Sequence, residues 1–244
     1  MSGVQTAMFA NTVPSGNSSH ARGRLPTGRH GLSRSFVAQN QRDRILAAVA
    51  DACSAKGYAD MSVEDIIAAA GVSRRTFYEH FKNKEHAFLA AYDAVTAQLF
   101  HRVTGAVDAA DTLPEKVRAG LAGFLGFLAN EPAFAKMCIV DVLAAGPEAV
   151  ARRDGAMQAF SRLITVNART VLGDSGPPAV DLMAETVVGG IYEVVYARVL
   201  RGELEELPGL VADLVYAVLL PFAGPEQAAA YHRRLSAAPA AERG

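Results

Sequence analysis

From Gln39 onward the apolar residues of this chain recur at helical spacing, and they keep that spacing almost to the end. Such a period lines up one face of an α-helix, whereas a strand needs strict alternation. Ile45, Leu46, Val49 and Cys53 predict a first helix ending near Gly57, and Val63, Ile66, Ile67 and Ala70 a shorter second one. Gly71-Val72-Ser73 interrupts the pattern, Arg74 to Phe81 resumes it, and Lys84 opens a long helix reaching about Asp108. Turn signals near Pro114, Pro132, Gly146-Pro147, Gly176-Pro177-Pro178, Pro208 and Gly224-Pro225 then separate further helical runs. No β-branched alternating segment competes, so the expected fold class is all-α.

Composition excludes several alternatives. With 244 residues, half of them hydrophobic and 20% charged, the chain can bury a substantial core. There is no run of eighteen uninterrupted apolar residues, and the N-terminus lacks the charged and apolar regions of a secretory signal. Cys53 and Cys138, the only cysteines, lie far apart in apolar helical patterns and read as buried reduced thiols. The expected compartment is the cytoplasm, with no membrane contact, metal site or cofactor. A net charge of −1 argues, taken alone, against a polyanionic partner. The distribution reverses that argument. Residues 1–86 hold 11 Lys+Arg against 7 Asp+Glu, and residues 87–244 hold 13 against 18, so positive charge gathers at the N-terminal end.

The first 35 residues are rich in Ser, Gly, Asn and Arg and show no period; Arg22, Arg24, Arg29, Arg34 and Arg42 all precede or flank the first acid, Asp43. A one-sign polar segment of this kind is either a solvated tail or a basic arm for nucleic acid, with Arg24, Arg29 and Arg34 as the candidate contacts.

The informative block is Gln41 to Leu89. It describes three short helices, the last two joined by a tight turn at Gly71, which is helix-turn-helix geometry. Val72 can fill the angle between the helices. Ser62 and Asp65 form a capping pair for the second helix, and Ser73 is placed to cap the third. On a helical wheel Phe77 and Phe81 mark the buried side of the third helix, while Arg75 and Glu79 point away, Thr76 and Tyr78 flank them, and Arg74 lies nearer the aromatic face. Arg can bond a guanine edge in bidentate fashion, and Thr and Tyr hydroxyls can settle on phosphates. Glu79 reads as the partner that orients Arg75, and His80 as either a phosphate contact or a helix-end histidine.

The Ala-Gly-Val-Ser turn, the Thr-Phe-Tyr-x-His-Phe helix and the Lys-Asn-Lys-Glu that follows resemble the DNA-binding domain of the tetracycline-repressor (TetR) family of bacterial regulators. The resemblance is close over about a fifth of the chain, and elsewhere only the all-helical layout matches. It implies base contacts from Arg74 and Arg75 and phosphate contacts from Thr76, Tyr78, His80 and Lys84, with Ser62 another at the start of the second helix; the capping Ser73 is counted with the DNA-binding residues. Where Arg75 stands, many relatives have a small residue, so Arg75 either adds a base contact or turns onto the backbone.

The expected organisation is a basic arm over 1–35, a helix-turn-helix domain over 36–86, an effector-binding and dimerisation domain over 87–225, and a C-terminal helix and tail over 226–244. In the third segment Phe100, Phe124, Phe127, Phe134, Met137, Met157, Phe160, Tyr192 and Tyr196 are the large side chains. Each packs a core; together they suit a small-molecule pocket. The resemblance places Phe124, Phe127, Met137, Met157, Phe160 and Tyr192 near an effector. The helices over roughly 180–202 and 207–222 are apolar on more than one side, with Gly189-Gly190 permitting close approach, so a homodimer through this pair is expected.

No Gly-x-Ser-x-Gly, Walker A, His-Glu-x-x-His or paired-Cys spacing is present, and an enzyme is not expected. The expectation is a regulator, repressing from a palindromic double-stranded operator and released by a small hydrophobic effector. The alternatives are an activator, or an all-α ligand- or lipid-binding protein whose helix-turn-helix reads no DNA.

Overall fold

A computed structural model describes residues 34–173 and 176–237, and among them there is no strand. The chain forms α1 (Arg34–Asp60), α2 (Val63–Ala70), α3 (Arg74–His80), α4 (Lys84–Asp108), α5 (Leu113–Asn130) and α6 (Pro132–Ile139). A 3-10 turn (Asp141–Leu143) leads to α7 (Pro147–Leu172) and α8 (Val180–Arg201), then a 3-10 segment (Leu204–Leu210) leads to α9 (Val211–Ala237). The all-α expectation holds. Proline opens α5, α6 and α7, where its missing N–H would lack a helical partner anyway.

α2 and α3 follow the expected boundaries closely because their ends carry local signals, whereas α1 already begins at Arg34, ahead of the expected Gln39. Ser62 and Asp65 form a reciprocal capping box: the Asp65 N–H donates to Ser62 Oγ (3.2 Å) and the Ser62 N–H to Asp65 Oδ2 (2.9 Å). At the other end of α2, Gly71 adopts φ 61°, ψ 39°, a left-handed conformation that a side chain would strain. Phe77 and Phe81 are buried, as the wheel requires.

Gly57 breaks α1 with φ 77°, ψ 160°, after which one more turn runs to Asp60. The break takes the Tyr58 N–H out of the helical ladder, and the buried Asp141 accepts it at 3.1 Å through Oδ1. A contact 83 residues away in sequence thus ties the end of α1 to the turn after α6.

The buried side chains form one continuous core that joins the N-terminal helices to the C-terminal bundle. α4 runs unbroken through the boundary expected at residue 86. The last helix differs from the expected 207–222. The entry, which contains Pro208, is 3-10, and α9 continues to Ala237 across a break at Gly224 (φ 80°), with Pro225 opening the next turn. Leu204–Ala237 is the one helical stretch among the described residues long and apolar enough to cross a membrane by length and composition. Asp213 lies within it, and Val211, Val215 and Leu219 bury one of its faces against the rest of the bundle.

Candidate nucleic-acid interface and internal cavity

α3 has seven residues and is held at both ends. The Thr76 N–H donates to Ser73 Oγ (3.0 Å), the two hydroxyls of Ser73 and Thr76 lie 2.9 Å apart, and the Phe81 N–H closes the helix on Phe77 O at 2.8 Å. Its inner face is Phe77 and Phe81. Its outer face presents Arg74, Arg75 and Tyr78 to solvent, with the Arg75 side chain 89% exposed.

Both arginines rest in weak ion pairs. Arg75 donates to Glu79 at 2.9 Å, and Arg74 lies 3.0 Å from Glu64 with its guanidinium 5.9 Å from the Tyr78 ring centre. Exposed pairs of this type contribute about 0–1 kcal/mol, so a guanine edge or phosphate can displace the carboxylate at little cost. Arg74, near the aromatic face on an ideal wheel, in fact reaches outward to α2. His80 ends α3 half-buried beside Phe81.

Ser62 and Lys84 have intramolecular work. The Ser62 hydroxyl donates to Asp65 Oδ2 at 2.7 Å. With hydrogen bonds from Lys56 and then from Ser62, the Asp65 carboxyl is held down at about 2. The Lys84 ammonium donates to Tyr58 O (2.9 Å) and Ala59 O (3.3 Å) and lies over the Tyr58 ring. It therefore satisfies carbonyls at the end of α1, and a phosphate contact there shares or replaces those bonds. Arg24 and Arg29 lie outside the described residues, and Arg34 is known only as the first residue of α1.

Two arginines that position the turn were not among the sequence candidates. Arg44 donates from α1 to Gly71 O (2.9 Å) and to Ala70 O, covering the carbonyl end of α2. Arg42 stacks on Phe81, 5.2 Å from the ring centre. Arg42 had a signal, because it falls three residues before Ile45 on the apolar stripe. Arg44 had none, its partners being 26 and 27 residues away.

The C-terminal bundle holds a partly open cavity of about 160 Å³, lined mainly from α4, α5, α7 and α8. Of the effector candidates, Phe124, Met157, Phe160 and Tyr192 line it, with Phe160 packed edge-on against both Phe100 and Phe124. Phe127 and Met137, also expected there, do not line it and are fully enclosed in the core (3% and 0% exposed). Met137 immediately precedes the lining residue Cys138, so the helix turns it about 100° away. From α5 the cavity is lined by Val117, Gly120, Leu121 and Phe124, and the Phe127 ring is packed into the core instead. The Cys138 thiol, pushed up to about 12 by burial, stays neutral.

Residues 45–91 match the model of the tetR family of bacterial regulatory proteins, and they contain the whole capped turn and recognition-type helix described above. The N-terminal unit is a helix-turn-helix domain of the TetR type. The whole chain has the layout of a TetR-like transcriptional regulator, with its helix-turn-helix unit at the N-terminus and a helical domain behind it. A curated relative, the transcriptional regulator EthR of Mycolicibacterium smegmatis, is 28% identical over 202 residues, covering 80% of this chain and 89% of that one. Among solved structures, FadR of Bacillus subtilis in complex with stearoyl-CoA superposes with a TM-score of 0.67 at 19% identity, over 75% of this chain and 98% of its own. A TetR-like regulator from Rhodococcus sp. RHA1 gives 0.60 at 21%, over 77% and 98%. These last two likenesses concern the fold.

Proposed function

We propose that this TetR-like regulator is a repressor that binds a palindromic operator as a homodimer and leaves it when an apolar effector fills the cavity. The observation that carries the reading is the outer face of α3: two arginines in weak ion pairs and an exposed tyrosine, on a helix capped at both ends and fixed by buried Phe77 and Phe81. Two such helices related by a two-fold axis suit successive major grooves. Arg74 and Arg75 read base edges in this proposal, while Ser62, Ser73, Thr76, Tyr78, His80 and Lys84 meet phosphates. Residues 1–35 act as a basic arm through Arg24, Arg29 and Arg34. The helix-turn-helix unit is 36–86, the effector and dimer unit 87–225, and the C-terminal helix and tail 226–244.

Dimerisation is supported by the outer faces of α8 and α9. Leu182 and Leu200 are 64% and 58% exposed, Leu220 is exposed on α9, and a Cβ built on Gly189 or Gly190 meets open space. A second copy supplies the surface that such a face lacks. The effector is supported by the apolar cavity and by the long acyl thioester in the fold relative from B. subtilis. Coupling to DNA follows from two hydrogen bonds. Tyr192, on the cavity wall, donates to Ile139 O at 2.7 Å, and two residues later Asp141 holds the Tyr58 N–H at the end of α1. A ligand that shifts α6 moves α1 with it, provided that it favours one arrangement over the other.

Footprinting the full-length protein on its own promoter tests the reading. Protection of an inverted repeat, with nanomolar affinity falling steeply with salt, is the expected result. Absence of binding to any duplex, alongside tight binding of a hydrophobic compound, would favour the ligand-binding alternative.

A further inference from the structure

The cavity is long. Arg152 of α7 pairs with Asp93 of α4, and further on Phe160 packs on Phe100, so the two helices run in the same direction. One end of the cavity is walled by Tyr92, Arg153 and Tyr192, and the other by Val107, Lys116 and Asn167. Arg153 and Asn167 are fourteen residues apart on α7, which corresponds to about 21 Å of helix rise.

Most polar groups on this wall are bonded within the protein. The Thr96 hydroxyl donates to Tyr92 O, Asn167 Nδ2 to Leu163 O, the Lys116 ammonium to Val107 O at the end of α4, and the Tyr192 hydroxyl to Ile139 O. Arg153 differs. Its guanidinium lies 4.1 Å from the centre of the Tyr192 ring and donates through Nη1 to the exposed Asp154 at 2.8 Å, but its Nε is buried with no partner. Several arginines have such an Nε, and among them Arg153 alone lines the cavity. A guanidinium over an aromatic ring, with a buried donor unmet, is suited to take a carboxylate.

We propose that Arg153 anchors the carboxylate of a long-chain apolar acid, whose tail runs along the cavity toward Asn167. The proposal rests on the effector reading above and specifies its ligand class. Arg153 then acts as the specificity-determining residue, separating acids from neutral chains of equal length, and the exposed pair with Asp154 yields easily to the ligand.

The test compares hexadecanoate, hexadecyl phosphate and hexadecan-1-ol by calorimetry on the full-length wild type, Arg153→Met and Arg153→Lys. A charge-assisted bond predicts that the wild type prefers hexadecanoate to the alcohol by about ten- to a hundredfold. Arg153→Met should lose that preference while keeping its affinity for the alcohol, and Arg153→Lys should keep part of it. Phosphate binding more tightly than carboxylate would overturn the assignment of the head group. Equal binding of acid and alcohol by the wild type, binding of neither, or a preference surviving in Arg153→Met would overturn the proposal. Because the wild-type comparison needs no variant, poor folding of Arg153→Met leaves it decisive. Operator binding by the unliganded protein is read separately, so failure here is distinguishable from failure of the regulator reading.

Discussion

Removing the Ser73 hydroxyl separates what holds α3 together from what α3 does. The helix has only seven residues, too few to persist on local propensity. Ser73 Oγ satisfies the Thr76 N–H, one of the donors at the N-terminus that have no partner inside the helix. In Ser73→Ala that N–H turns to water, which the exposure of the site allows, and the lost cap costs about 1 kcal/mol. For a chain of this length that lowers Tm by about 2–4 °C. If the loss falls on α3 alone, the helix opens about fivefold more often, and amide exchange at Phe77 and Tyr78 speeds up by that factor. Ser73→Asp supplies the decisive comparison. Aspartate caps as well as serine and its charge suits a helix N-terminus, so Tm and exchange should return to wild-type values. The same charge repels a phosphate, so operator affinity should fall well below that of Ser73→Ala. Thermal melts, hydrogen exchange and gel-shift titrations on the three proteins read all of this. If Ser73→Asp melts as low as Ser73→Ala, the capping argument is refuted; if it binds operator as the wild type does, no phosphate approaches this turn.

Lys84→Met should weaken operator binding and also lower stability by about 1–2 kcal/mol, because the ammonium is bonded to Tyr58 O and Ala59 O; Tyr78→Phe should weaken operator binding with Tm unchanged. Asp141 is buried, and burial raises its carboxyl above the ordinary 3.8, so the contribution it makes when protonated is lost as pH rises through the folded-state value. Asp141→Asn, which keeps an acceptor for the Tyr58 N–H, should therefore melt higher than wild type at pH 7, with the advantage vanishing toward pH 4 in melts run across that range. Leu182→Glu combined with Leu200→Glu should yield a monomer in sedimentation, with native helicity by circular dichroism and greatly reduced operator affinity.

The legible features share one physical property: their causes lie within about four residues. A capping box links Ser62 to Asp65, a glycine at positive φ ends α2, and a wheel places Phe77 and Phe81 inward and Arg75 outward. Each is a statement about one turn of helix, so residue order suffices to read it. The cavity was legible only in part for the same reason. Aromatic and Met side chains at helical spacing mark a face that is buried, but a void and a packed core select the same residues, so Phe160 and Met137 looked alike until neighbouring helices were in place.

By itself the sequence determined the all-α class, the capped turn, the outward residues of α3 and the gathering of positive charge at the N-terminal end. Tertiary structure alone decided which charges are spent. Arg44 covers the end of α2, Lys84 closes the end of α1, Asp141 reaches across 83 residues to Tyr58, and Arg153 lies on Tyr192 with a donor unmet. Long-range partners of this kind depend on how helices cross. Crossing is set by the fit of whole faces, which no local pattern contains.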